Sequence, residues 1–211
     1  MKSKKWTLLA TSLTAMVLMA ACAQSTTTSN TNATTNSATT TATKTNQSSY
    51  FTEKDNDTSY DESTASKIEL SGSSANVSGD GVTVSESTVT ITKAGTYVIS
   101  GQSDGVQIKI EADKSADVHL VLKGAAMTNT NAAISATSAG HVYLTLAEGT
   151  INNLSDSSSN SDEKADAALF SKADLTINGK GTLNVEGKKN NGIKANDTLH
   201  ITGGTYNITA V

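Results

Sequence analysis

Asp174 and Asp197 fall in the same turn of two neighbouring repeats of this chain. Stacked turns of that kind suit calcium, which takes roughly six to eight oxygen ligands, mostly carboxylates and carbonyls. Two carboxylates one strand spacing apart, about 4.8 Å, repel unless a cation or a donor lies between them. Asn190, Asn191 and Asn196 add neutral oxygens nearby, and Asp156, Asp162, Glu163 and Asp166 form a second acidic group. The candidate metal ligands are therefore Asp174, Asp197, Asp166 and Asp162, with calcium as the ion. The competing reading is that Asp and Asn are ordinary turn formers.

The remaining polar groups divide by parity. His119, His141 and His200 alternate with inward apolar residues, so they read as surface groups rather than a metal set. One outward row runs His119, Tyr143, Asp174, Thr198, and the next runs Val121, Thr145, Thr176, His200. Tyr143 can stack on a sugar ring, while His119, Thr145, Thr176 and His200 can hydrogen-bond hydroxyls. Lys172 and Lys194 lie near the acidic turns, where a lysine could serve as a base. No Arg is present, and no nucleophile–base–orienter set or phosphate loop accompanies them. Binding is expected rather than catalysis. A structural or adhesive surface protein and a weak polysaccharide lyase are the alternatives.

What must position these residues is a repeat. Asp174–Gly179 (DLTING) is echoed by Thr198–Gly203 (TLHITG), about 24 residues on. Gly181-Thr182-Leu183-Asn184-Val185 is echoed by Gly204-Thr205-Tyr206-Asn207-Ile208, and Leu144-Thr145-Leu146 leads to Gly149-Thr150-Ile151-Asn152 upstream. A third strand recurs at Ile134, Leu169 and Ile193. Three short strands in each unit of about 24 residues predict an all-β fold, a right-handed parallel β-helix in which each coil buries its inward face against the next. Leu120, Leu144, Leu175 and Leu199 are expected to form one internal ladder, and Leu122, Leu146, Ile177 and Ile201 the next. Ser155–Asp166 reads as a polar loop, and Val82–Gly101 partly as capping hairpins. The chain stops at Thr209-Ala210-Val211 with no cap in view, so a truncated form or a covered end is expected.

The N-terminus reads differently. Lys2, Lys4 and Lys5 precede a short apolar run ending in Leu18-Met19-Ala20-Ala21-Cys22. That is the pattern of a signal peptide, and small residues before a lone Cys resemble a bacterial lipobox. Residues 1–21 are expected to be removed and Cys22 to be lipidated, anchoring the chain at the extracellular face of a membrane. Residues 22–49 are nearly all Thr, Ser, Asn and Ala, too polar to bury a core, which predicts a disordered tether. Its reach is about 30 Å. Residues 50–211 form the folded domain. Three of the 16 Lys precede Cys22, so 13 face 20 Asp and Glu, a net charge of −7. An acidic chain of this kind is no partner for nucleic acid.

Phe51-Thr52-Glu53-Lys54-Asp55, Ile68-Glu69-Leu70-Ser71-Gly72, Val89–Tyr97, Leu120-Val121-Leu122-Lys123-Gly124, Leu146–Thr150 and Phe170–Ile177 follow one order. That order resembles the carbohydrate-binding domain family of bacterial surface lipoproteins. The resemblance implies a fold similar to pectate-lyase solenoids, calcium association and binding of plant-type polysaccharides, including acidic ones. It spans nearly all of residues 50–210 and covers only the N-terminal portion of such proteins. Where the family's Asp-Gly-Ile turn is expected, this chain has Asn191-Gly192-Ile193.

Overall fold

The computed structural model describes residues 50–211. The leader, the lipidation site Cys22 and the tether lie outside the described residues. The first element is a single helical turn, α1 (Glu53–Asn56). Thr52 caps it by accepting the Asp55 N–H at 3.2 Å, while the Asp55 carboxylate takes the Thr52 N–H at 2.7 Å and its hydroxyl at 2.8 Å. This reciprocal pairing satisfies donors that a helix start leaves open.

The strands follow in chain order: β1 (Ser66–Gly72), β2 (Ser74–Ser78), β3 (Val82–Ser85), β4 (Thr88–Ile91), β5 (Gly95–Asp104), β6 (Gln107–Glu111), β7 (Asp117–Thr128) and β8 (Ile134–Ser138). Then come β9 (His141–Leu146), β10 (Ile151–Ser155), β11 (Ala167–Ser171), β12 (Asp174–Gly179), β13 (Thr182–Gly187), β14 (Asn191–Ala195), β15 (Leu199–Ile201) and β16 (Thr205–Ala210). Among the described residues the antiparallel pairs are the hairpins β1–β2 and β3–β4. All other strand pairs are parallel, and they build three faces. The first face stacks β1, β5, β7, β9, β12 and β15. The second stacks the latter halves of β5 and β7 with β10, β13 and β16. The third stacks β4, β6, β8, β11 and β14.

The core lies between the faces. Val89, Ile108, Ile134, Leu169 and Ile193 form one continuous ladder on the third face, as the recurring third strand implied. Each fully buried Leu, Ile or Val contributes about 1.5–3 kcal/mol. On the first face the ladders are Val118–Val142–Leu175–Leu199 and Leu120–Leu144–Ile177–Ile201. The expected pairing of Leu144 with Leu175 is thus two residues out of register. A shift of two keeps every side chain on its own face, so the inward and outward assignments survive.

The second face carries a different correction. The repeat aligned Asn152 with Asn184, but Asn153 is the true partner of Asn184. A shift of one inverts the faces. Ile151 is consequently exposed, and Asn152 is buried, with its side-chain oxygen accepting the N–H groups of Gly124 and Ala125 at 2.9 Å each. The hairpin reading of Val82–Gly101 holds for β3–β4, whereas β5 joins the parallel stack.

Candidate functional site

The outward side of the first face is not open. Residues 50–65 cross it as a strap, meeting β15, β12, β9 and β7 in turn. Phe51 packs edge-on against His200, with ring centroids 5.2 Å apart. Asp55 is 1% exposed and sits over β12. Lys54 lies 4.8 Å from the centroid of Tyr143 on β9 and pairs with Asp117. Tyr60 meets His119 on β7 edge-on, and Glu62 pairs with Lys123 at 2.7 Å.

Pairing places His119, Tyr143, Thr176 and His200 in one row, with Thr145 beside Asn178 in the next. The two-residue shift therefore gathers four of the five predicted sugar-contacting side chains into a single line. It also puts His119 and His200 in the same row, where the sequence placed them apart. Thr145 is 1% exposed, Thr176 0% and Tyr143 9%. These are buried groups, and they are all engaged. His119 Nε2 contacts Thr145 Oγ1 at 2.7 Å, and that hydroxyl donates to Asn178 Oδ1 at 2.6 Å. Asn178 Nδ2 then donates to the carbonyls of Asp55 and Asp57 at 3.1 and 3.0 Å. In parallel, His141 Nε2 contacts Thr176 Oγ1 at 2.8 Å, and Thr176 donates to Asp55 Oδ1 at 2.5 Å. Each threonine proton is already committed, so each histidine must present its Nε2–H. The histidines are thus relay donors beneath the strap rather than free surface groups.

Burial by itself pushes the Asp55 carboxyl up. Hydrogen bonds from Thr176 and from the Thr52 backbone and hydroxyl, with the His200 imidazole close by, outweigh it and hold the group well below the ordinary carboxylate range. Burial pushes His119 and His141 down, only partly countered by Asp57 for the first and by Asp174, Asp55 and Asp117 for the second. All three folded values lie below their unfolded ones, so the unfolded chain binds protons first and stability falls with acid. The histidine contribution is complete above about pH 6.5 and is lost as pH falls through their lowered values. The Asp55 contribution is complete above about pH 4 and is lost below. Melting temperature is therefore expected to fall in two stages between pH 8 and 3. A flat profile from pH 8 to pH 5 would contradict the relay assignment of the histidines.

The candidate metal ligands do not assemble. Among the described residues no group of three or more His, Cys, Asp or Glu side chains comes together to hold an ion. Asp174 accepts the Thr198 N–H at 2.9 Å, which holds its carboxyl below the ordinary range, and Asp197 lies one residue earlier in that turn. Asp166 is bound by Lys194 and Asn190, each at 2.6 Å, with the lysine the main cause of its lowered pKa. Asp162 Oδ1 takes the N–H groups of Lys164 and Ala165 at 3.0 and 3.1 Å. Asp174, Asp166 and Asp162 thus already have donors, and three lysines, Lys164, Lys172 and Lys194, share a cavity of about 510 Å³ with Asp162 and Glu163. As arranged here the four acids do not fit a calcium site. Lys194, bound to Asp166, is likewise no free base.

The second face is different. Asn153, Asn184 and Asn207 stack outward in register, with Asn207 Nδ2 donating to Asn184 Oδ1 and Asn184 Nδ2 to Asn153 Oδ1, each at 2.8 Å. A shallow cleft of about 340 Å³ runs beside them, lined by Gln102, Thr128, Asn153, Ser155, Asn184 and Glu186. Each ladder amide uses one N–H or one lone pair on its neighbour and keeps others for solvent. The Asn repeat was visible in the sequence. Its outward aim was not, because the alignment chose Asn152.

A family model described as carbohydrate-binding domain-containing protein matches residues 85–211. A relative of that same description from Acetivibrio thermocellus is 38% identical over 125 residues, covering 56% of this chain and 44% of the relative. The chain thus spans less than half the length of that protein. A solved structure of a polysaccharide lyase-like protein from C. thermocellum, a gadolinium derivative, superposes with a TM-score of 0.67 at 38% identity. It covers 69% of this chain and 62% of its own. Parallel coils, ladder and matched residues agree, and the chain belongs to the carbohydrate-binding domain-containing protein family.

Proposed function

We propose that this chain is a non-catalytic polysaccharide-binding protein, tethered through a lipid on Cys22 to the extracellular face of a membrane. The observation that carries the reading is the outward amide ladder Asn153–Asn184–Asn207. Its repeat is one strand spacing, about 4.8 Å, close to the length of one pyranose residue in an extended glycan. A sugar hydroxyl both donates and accepts, and so does each free amide edge. A glycan lying along the coil axis would meet equivalent amides residue after residue.

The coil is proposed to wind right-handed, as parallel crossovers generally do. Calcium is proposed only as a counterion that an acidic glycan brings with its own carboxylates. Binding that survives a chelator removes it.

The test is calorimetric titration with polygalacturonate and with a neutral β-glucan. The triple variant Asn153→Ala, Asn184→Ala, Asn207→Ala is expected to bind at least tenfold more weakly, with an unchanged circular dichroism spectrum. Equal binding by this variant would move the site off the second face. A folded wild-type protein that binds neither glycan would overturn the reading and favour a structural or adhesive role.

A further inference from the structure

We infer that the buried polar row of the first face is a receptor for a carboxylated sugar, held closed by the chain's own Asp55. This rests on the polysaccharide-binding reading and assigns it a second site.

The polarity of the contact carries the argument. At Asp55 and Asp57 the solenoid supplies the donors and the strap the acceptors. Thr176 donates to Asp55 Oδ1, Asn178 donates to the carbonyls of Asp55 and Asp57, and Thr202 donates to the Asp55 carbonyl at 2.8 Å. His200 Nδ1 lies 3.3 Å from the same Oδ1, yet it is buried without a well-aligned hydrogen bond. One carboxylate and two neutral oxygens are what a uronate presents with its neighbouring hydroxyls. Beside this seat Tyr143 stacks on His141, with centroids 4.0 Å apart and planes within 7°, a flat aromatic surface of the kind a sugar ring covers. Lys54 of the strap covers it instead.

The strap is also built to leave. Its peripheral ion pairs, Lys54–Asp117 and Lys123–Glu62, are solvent-exposed, and such pairs contribute little. Between Tyr50 and Thr64 only Asp55 is fully buried. Clefts of about 240 and 340 Å³ flank the strap, so the receptor opens to solvent on both sides of it. A carboxylated glycan therefore competes with a tethered internal carboxylate for one set of donors.

The test uses the lipidated full-length chain in detergent, with trigalacturonate and a neutral galactose trisaccharide as probes. Asp55→Ala is expected to bind trigalacturonate at least tenfold more tightly than wild type, with the neutral probe unaffected. In wild type, saturating trigalacturonate is expected to speed hydrogen exchange at Asp57 and Ala65, whose N–H groups are bonded within the strap to Lys54 and Asp61. Unchanged affinity in Asp55→Ala, with unchanged strap exchange in wild type, overturns the receptor. If Asp55→Ala does not fold, the wild-type exchange measurement decides alone. If the triple asparagine variant loses binding while Asp55→Ala and strap exchange show nothing, the receptor falls and the carbohydrate reading stands. If no protein binds any glycan, both fall.

Discussion

Asp55→Ala is expected to cost about 3 kcal/mol of stability and, for a domain of this size, roughly 6–12 °C of melting temperature. The carboxylate is 1% exposed and receives three hydrogen bonds from Thr52 and Thr176. Truncation leaves the Thr176 hydroxyl without its acceptor and the His141–Thr176 relay without an end. A buried donor stripped of its partner typically costs about 1–3 kcal/mol. The Asp55 half of the α1 capping box is lost at the same time, while the Thr52 hydroxyl keeps the residue-55 N–H, for at most about another 1 kcal/mol. Asp55→Asn should fall between the two, because it keeps the shape but points a donor at a donor. Urea denaturation followed by circular dichroism measures the change. An Asp55→Ala protein within 0.5 kcal/mol of wild type, on the order of the scatter for ordinary surface changes, would show that the strap does not dock in solution.

Gly179→Ala is expected to be more damaging, at about 4 kcal/mol. Gly179 closes β12 with φ at +100°, a conformation that L-residues rarely adopt. Strain of that kind costs on the order of 1–3 kcal/mol. An added Cβ would also press into the carbonyl oxygen of Leu146 on the neighbouring coil. That oxygen accepts the N–H groups of both Lys180 and Gly181 at 3.1 Å, so the clash breaks the hydrogen bonds that turn the chain onto the second face. Gly149→Ala makes a useful comparison. Its φ of +74° carries similar strain, but nothing lies within 4 Å of the added carbon. The difference between the two variants measures the clash alone. Equal losses would mean that the coils move apart without penalty.

Much of the coil was legible because its inward residues repeat. The ladder through Ile134, Leu169 and Ile193 follows from pattern alone, and so does the pairing of Leu175 with Leu199. Register across the long loop was not. Within β9 and β12 apolar residues recur at every second position, Val142, Leu144 and Leu146 on one strand and Leu175 and Ile177 on the other, and a shift of two leaves all of them facing inward. The asparagine register failed for the opposite reason: glycine and threonine recur on both sides of that turn, and they hid a shift of one. Nor could the strap be read. Thr52-Glu53-Lys54-Asp55 has the spacing of a capping box and forms one, but the spacing does not show that the other oxygen of Asp55 is taken by Thr176, 121 residues away. Polar outward residues look the same in sequence whether water or a strap covers them.

The strap enters the fold beside the last first-face strand and ends where the first begins. Force arriving at Tyr50 therefore meets Phe51 on His200 and the Asp55 network before it loads β1. The bonds yield one after another rather than together, so the strap peels as a zip. Its sixteen residues, fully drawn out, span about 55 Å. The molecule can lengthen by a distance of that order while every coil stays wound, which makes the strap a mechanical fuse in series with the solenoid.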